Sequence, residues 1–150
     1  MTNYSEVEIL SVEDSPKDAE LTIRALKERN LANRRHHVRD GAQALDFLFA
    51  RGKYGDREPY RVPKLVILDL KLPKVSGLDV LRKLKTDPVT KAVPVVVMTS
   101  SKEDRDLQEA YRIGVNSYVV KPLEFDAFAQ AVVNTGLFWM LVNHPPGALS

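Results

Sequence analysis

Four groups of residues in this chain have the types and spacing to do phosphorus chemistry. Glu13-Asp14 follows an apolar run over residues 7–12. Asp69 lies in Ile67-Leu68-Asp69-Leu70, at the end of another run, Thr99-Ser100-Ser101 follows a third, and Lys121-Pro122 closes a fourth. If these runs are parallel strands of one open sheet, their carboxyl ends share a rim, which is where open α/β sheets carry their sites. The rim then holds three carboxylates, a hydroxyl and an ammonium group. Crowded carboxylates repel one another unless a cation joins them, and hard oxygen ligands with open water positions suit Mg2+ or Mn2+. An ionised carboxylate is a nucleophile, and its attack on phosphorus forms an acyl phosphate. The transferring phosphoryl group needs positive charge and hydrogen-bond donors around its oxygens, which the cation, Lys121 and Thr99 could supply. None of the four groups is specific alone; their joint placement in this order is.

The elements that must position these residues alternate along the chain. Strand-like runs of four to seven residues lie at 7–12, 34–38, 64–70, 93–98 and 117–120. Three are nearly continuous Val, Ile and Leu, as expected of parallel strands covered on both faces. The run Arg34-Arg35-His36-His37-Val38 is polar and reads as a solvated edge strand. Between the runs lie helical stretches. The first opens on Ser15-Pro16, an N-cap followed by proline at the first helical position, and places Ala19, Ile23 and Leu26 on one stripe. The second covers about residues 42–50 with Leu45, Leu48 and Phe49 inward. The third covers 77–85 with Val80, Leu81 and Leu84 inward, and the fourth covers 102–113 before a C′ Gly114. The fifth begins at Glu124 and runs to about residue 137. Strand–helix alternation predicts right-handed crossovers and one parallel sheet. The fold class is α/β with helices on both faces, and we expect the doubly wound, flavodoxin-like arrangement of five parallel strands in the order 2-1-3-4-5, which the resemblance described below also implies. Residues 51–63, with two glycines and two prolines, read as an exposed loop in which Arg51, Lys53, Arg57 and Arg61 are solvated and offset by Asp56 and Glu58.

At 150 residues the chain reads as one domain, with a core over about residues 7–137 and a tail over 138–150. The absence of cysteine excludes disulfides, thiolate catalysis and cysteine-based metal sites. A net charge of +2 from 22 basic and 20 acidic residues gives no reason to expect nucleic acid as a partner. No apolar run is long enough to span a membrane and no basic-then-apolar leader opens the chain, so a soluble cytoplasmic protein is expected.

The joint motif resembles the receiver domain of two-component response regulators. The matching residues are Val12-Glu13-Asp14, Leu68-Asp69-Leu70-Lys71-Leu72-Pro73 with Ser76-Gly77, Met98-Thr99-Ser100, and Lys121-Pro122; the likeness covers residues 7 to 135. The resemblance implies that Asp69 is the phosphoacceptor, fed by a sensor histidine kinase. It implies that Asp14 is a direct metal ligand, that Glu13 reaches the metal through water and that the Lys71 carbonyl completes the set with Asp69. Thr99 and Lys121 would bind the phosphoryl group, Thr99 and Tyr118 would form the switch, and Lys71 and Ser101 would tune phosphoryl lifetime. It also implies a cis Lys121–Pro122 bond.

A narrower resemblance, to the small regulators that partner phytochrome histidine kinases, rests on the 51–63 loop, the lack of an output domain and the tail Phe138-Trp139-Met140-Leu141-Val142-Asn143-His144-Pro145-Pro146. It implies a bacteriophytochrome as the kinase and a homodimer through the fifth helix and the tail, anchored by Phe138, Trp139 and Leu141. With no room for an output domain, the signal would leave by protein contact, dimer rearrangement or onward phosphotransfer. Two rivals are weighed against this. An aspartyl-phosphate hydrolase usually carries a second aspartate two residues after the nucleophile, where this chain has Lys71. A phosphorylation-independent binding module usually loses an acidic residue or the lysine, and this chain keeps both.

Overall fold

The computed structural model describes residues 7–28, 34–58, 61–100, 105–121 and 124–134. The apolar runs become five short strands: β1 Ile9–Val12, β2 Arg35–Val38, β3 Leu65–Asp69, β4 Val95–Thr99 and β5 Ser117–Val120. They form one parallel sheet, as the alternation predicts, in the order β2-β1-β3-β4-β5 expected of the flavodoxin-like fold. Every residue of β1, β3 and β4 is buried, because helices cover both faces.

The five helices are α1 Pro16–Glu28, α2 Gly41–Leu48, α3 Gly77–Thr86, α4 Arg105–Ile113 and α5 Phe125–Val133. Three are started by side-chain caps that satisfy otherwise orphaned amides. Ser15 Oγ accepts from Asp18 N at 3.3 Å, Asp40 Oδ1 from Gln43 N at 2.8 Å and Ser76 Oγ from Asp79 N at 3.2 Å. Gly114 follows α4 with φ +128°, the left-handed conformation a C′ glycine supplies.

Alternation along each strand divides the core into two layers. Leu10, Val12, Val66, Leu68, Val95 and Val97 pack with residues of α2, α3 and α4. Ile9, Leu65, Ile67, Val96, Met98 and Val119 pack with Ala25 and Leu26 of α1 and with Phe128, Ala131 and Val132 of α5. This second face also receives Glu13, Asp69 and Lys121, each two residues beyond a member of its strand on that side or in step with one.

The structure corrects the expected phase of two helices. In α1 the buried residues are Ala19, Thr22, Ala25 and Leu26, and Ile23 is half-buried. In α2 it is Phe47 that is buried and Phe49 that is half-buried. The eight residues of α2 and the Phe49 cap carry Leu45, Phe47, Leu48 and Phe49 as two overlapping apolar stripes, and the sheet face selects one.

A larger correction concerns residues 51–63. Instead of a wholly solvated loop, the segment forms a 3-10 turn over Gly52–Tyr54 and sends Tyr54 and Arg57 into the interior, 2% and 4% exposed. Arg57 donates to the carbonyls of Phe47 (2.8 Å), Leu48 (3.5 Å) and Arg61, and its guanidinium lies 4.5 Å from the Phe47 ring centroid. Phe47 stacks on His36, and the Tyr54 hydroxyl lies 2.9 Å from His36 Nε2. The polar run of β2 is an edge strand as expected, but Arg35, His36 and His37 are half-buried rather than solvated, and Tyr54 of this segment packs on His36. Burial is also what holds the His36 and His37 imidazoles below their ordinary range, with nearby Lys53 and His37 adding to the effect at His36 and Arg39 at His37.

Candidate functional site

The register of the sheet sets the floor of the site. Val12 pairs with Leu68, so Glu13 and Asp69 emerge side by side, and Thr99 pairs with Val120, so Lys121 emerges one step later. The Lys121 N–H donates to the Thr99 carbonyl at 2.7 Å and extends the β4–β5 pairing to the rim. Gly77, the first residue of α3, lies directly behind Asp69. A Cβ there would stand 2.3 Å from the Asp69 carbonyl oxygen and 2.5 Å from Leu70 Cα, so only glycine lets the chain return this closely.

Lys121 is the hub. Its Nζ lies 2.9 Å from Asp69 Oδ2, 2.7 Å from Glu13 Oε1 and 3.0 Å from Asp18 Oδ2. Asp69 Oδ1 accepts the Lys71 N–H at 3.1 Å, and Glu13 Oε2 accepts the Ser15 N–H at 3.0 Å. Glu13 and Asp69 are buried, at 1% and 6% exposure. Burial drives the Glu13 carboxyl up to about 7, against the nearby Lys121 ammonium and the Ser15 N–H that pull it down. Burial alone would lower the Lys121 pKa, but its close pairing with Glu13, Asp69 and Asp18 overrides this and holds the ammonium above its ordinary range. A cation fixed on two buried carboxylates is the arrangement from which a developing phosphoryl charge can be stabilised without reorganisation.

The other expected site residues lie around this hub. Asp14 is exposed at the rim beside Glu13, and Lys71 is exposed two residues after Asp69. Thr99 is buried at the end of β4, in step with Val95 and Val97. Tyr118 is half-buried on β5, packed against the α2–α4 core layer and edge-on to Tyr111 of α4 at 6.0 Å. Ser101, Pro122 with its expected cis bond, and Phe138, Trp139 and Leu141 lie outside the described residues.

Among the described residues, no three carboxylates or imidazoles stand close enough to form a ready-made metal cluster. The donors present are nonetheless all hard oxygens. Glu13 Oε1 has no donor aligned for a hydrogen bond and relies on the ionic contact with Lys121. Such a set fits a small divalent cation that keeps several of its waters, and does not fit a closed cage.

Sequence reasoning missed Asp18. The available signal was its position, four residues after Asp14 in the first turn of a helix that starts at the rim. It missed Arg57 as well, whose type and neighbours all point to solvent.

With this geometry established, comparison with known proteins is informative. Residues 9–133 match the family described as "Response regulator receiver domain". The chain is 41% identical over 139 residues to the probable methanogenesis regulatory protein FilR2 of Methanothrix harundinacea, covering 93% of this chain and 87% of that protein. It is 36% identical over 140 residues to response regulator Rcp1 of Synechocystis, covering 93% of each. The crystal structure of the Mn2+-bound form of Rcp1 superimposes with a TM-score of 0.71 at 34% identity, over 93% of this chain and 98% of that one. The structure of the bacteriophytochrome response regulator AtBRR superimposes with a TM-score of 0.81 at 48% identity, over 93% of this chain and 99% of that one.

Proposed function

Because this chain belongs to the family of response regulator receiver domains, we propose that it accepts a phosphoryl group on Asp69 from the phosphohistidine of a sensor histidine kinase. The observation that carries this reading is the convergence of Asp69 and Glu13 on the Lys121 ammonium at the carboxyl ends of β1, β3 and β5. In the reaction an Asp69 carboxylate oxygen attacks phosphorus. The new P–O bond forms as the P–N bond to the kinase imidazole breaks, and the bonding pair returns to that nitrogen. Lys121 holds the carboxylate in place and neutralises charge on the phosphoryl oxygens, and the Thr99 hydroxyl supplies a further donor. A divalent cation, Mg2+ or Mn2+, would be held by Asp14, Asp69, the Lys71 carbonyl and, through water, Glu13, and would add positive charge at the phosphoryl oxygens; the Mn2+-bound form of Rcp1 supports this.

The likeness to AtBRR and Rcp1 supports a phytochrome histidine kinase as the donor. The signal leaves by protein contact. Thr99 moves toward the phosphoryl group, Tyr118 turns from its half-buried place beside Tyr111, and the face of α4, β5 and α5 changes. Lys71 and Ser101 set the phosphoryl lifetime, and the apolar tail residues Phe138, Trp139 and Leu141 join two copies of the chain.

The test is intact mass after incubation with acetyl phosphate and Mg2+. A gain of about 80 Da, one phosphoryl group, that requires both Asp69 and the metal is expected. An adduct that persists in Asp69→Asn, or none in the parent even when a beryllofluoride-induced change is sought, overturns the reading.

A further inference from the structure

We propose that Asp18 is a positioning residue of this site: it competes with the incoming phosphoryl group for the Lys121 ammonium and so sets how readily a phosphoryl donor binds. The inference rests on the reading of Asp69 as phosphoacceptor. An ammonium has three N–H donors and no more. In the structure three carboxylates already surround it within 3.0 Å, from Glu13, Asp69 and Asp18, so an arriving anion finds the space around the ammonium occupied. One of the three must yield.

The three partners are not equivalent. The Glu13 and Asp69 side chains are 1% and 8% exposed and form the floor of the site, whereas the Asp18 side chain is 28% exposed at its open edge. Asp18 also belongs to another element. It sits in the first turn of α1, where its N–H donates to Ser15 Oγ and its carbonyl accepts from Thr22 Oγ1 at 3.0 Å. These bonds fix its backbone independently of Lys121. A phosphoryl group reaching Asp69 from solvent therefore meets the ammonium on the side that Asp18 occupies, and the Asp18 pair is the one exchanged. Asp18 also adds a negative charge facing a dianionic donor, so its two effects have the same sign.

The prediction concerns donor binding more than the chemical step. An ion pair of this exposure is worth up to about 1 kcal/mol, or about fivefold in an equilibrium. In Asp18→Asn, which keeps the shape and removes the charge, half-saturation by acetyl phosphate is expected at about one-fifth of the parent's concentration, with the maximal rate little changed. Asp18→Glu restores a carboxylate and brings half-saturation back toward the parent's value. The Asn effect shrinks at high ionic strength, which loss of a purely structural contact would not produce.

Rates are read by intact mass against acetyl phosphate concentration at fixed Mg2+, with parent, Asp18→Asn, Asp18→Glu and Asp69→Asn side by side. Failure of the parent to gain the Asp69-dependent adduct sinks the phosphoacceptor reading and this inference with it. A phosphorylated parent with unchanged or weaker donor binding in Asp18→Asn overturns the role of Asp18 alone.

Discussion

Arg57 is a sharp test of the structural reasoning, because its sequence context points to solvent and its structure points to the core. The perturbation is Arg57→Ala. It removes the donors that satisfy the Phe47 carbonyl at 2.8 Å, the Leu48 carbonyl at 3.5 Å and the Arg61 carbonyl. Phe47 and Leu48 end α2, where carbonyls lack the usual partner four residues on (Phe47 keeps a long bond from the Ala50 N–H at 3.4 Å) and a cation also meets the negative end of the helix dipole. The two shorter charge-assisted bonds, to Phe47 and Arg61, at about 1.5 kcal/mol each, with about 0.5–1 kcal/mol for the guanidinium over Phe47, give a gross loss of about 3.5–4 kcal/mol. Relief of the burial that holds Arg57 below its ordinary pKa returns part of this. The net expectation is about 3 kcal/mol, or about 6–12 °C in Tm for a domain of this size. Arg57→Lys keeps the charge but presents a point instead of a fork, and is expected to recover about half. Urea denaturation followed by circular dichroism, at equal m-value, measures both variants. An Arg57→Ala variant within about 0.5 kcal/mol of the parent, or a lysine that restores everything, refutes the argument.

Other consequences can be checked on the same protein. Glu13 is ordinary when unfolded and titrates at about 7 when folded, so the native state binds more protons between pH 4.5 and 7 and stability falls as pH rises through that window, by about 3 kcal/mol in metal-free buffer. Glu13→Gln should abolish that slope and leave the opposite one from His36 and His37, whose lowered native pKa values cost stability as pH falls below 6.5. Denaturation midpoints across pH 5–8 in chelator decide this, and a Glu13→Gln variant with the parent's slope would count against it. Lys121→Met strands Glu13 and Asp69 without their cation; we expect a loss of about 3 kcal/mol at pH 8 that shrinks toward pH 5 as the carboxylates protonate. Gly41→Ala would place a methyl 1.9 Å from the Val75 carbonyl oxygen, forcing the loop after Asp69 off the start of α2; a loss of at least about 2 kcal/mol and slower phosphorylation are expected, by denaturation and mass.

Much of the architecture is legible locally. Continuous Val, Ile and Leu runs suit strands covered on both faces, and their alternation with helical stretches points to one parallel sheet; the order 2-1-3-4-5 is the one expected from the doubly wound fold and the family resemblance, and the structure has it. Ser15-Pro16 and Gly114 mark helix ends because the groups they satisfy lie within four residues of them. Glu13, Asp69, Thr99 and Lys121 are legible as a set because each stands at a strand end, and strand ends of a parallel sheet share an edge.

What could not be read depends on distance and phase. The phase of α2 is settled by the sheet it meets, which buries Phe47 and leaves Phe49 half-covered. Arg57 has a loop's composition, yet it is buried because the last carbonyls of α2, nine and ten residues earlier, need donors. The amino-acid sequence by itself determined the elements, their order and the residues delivered to the rim, because those follow from interactions between near neighbours. The tertiary structure alone decided that one ammonium is shared among Glu13, Asp18 and Asp69, because Lys121 meets Asp69 across 52 residues of chain and only the strand register brings those charges within 3.0 Å.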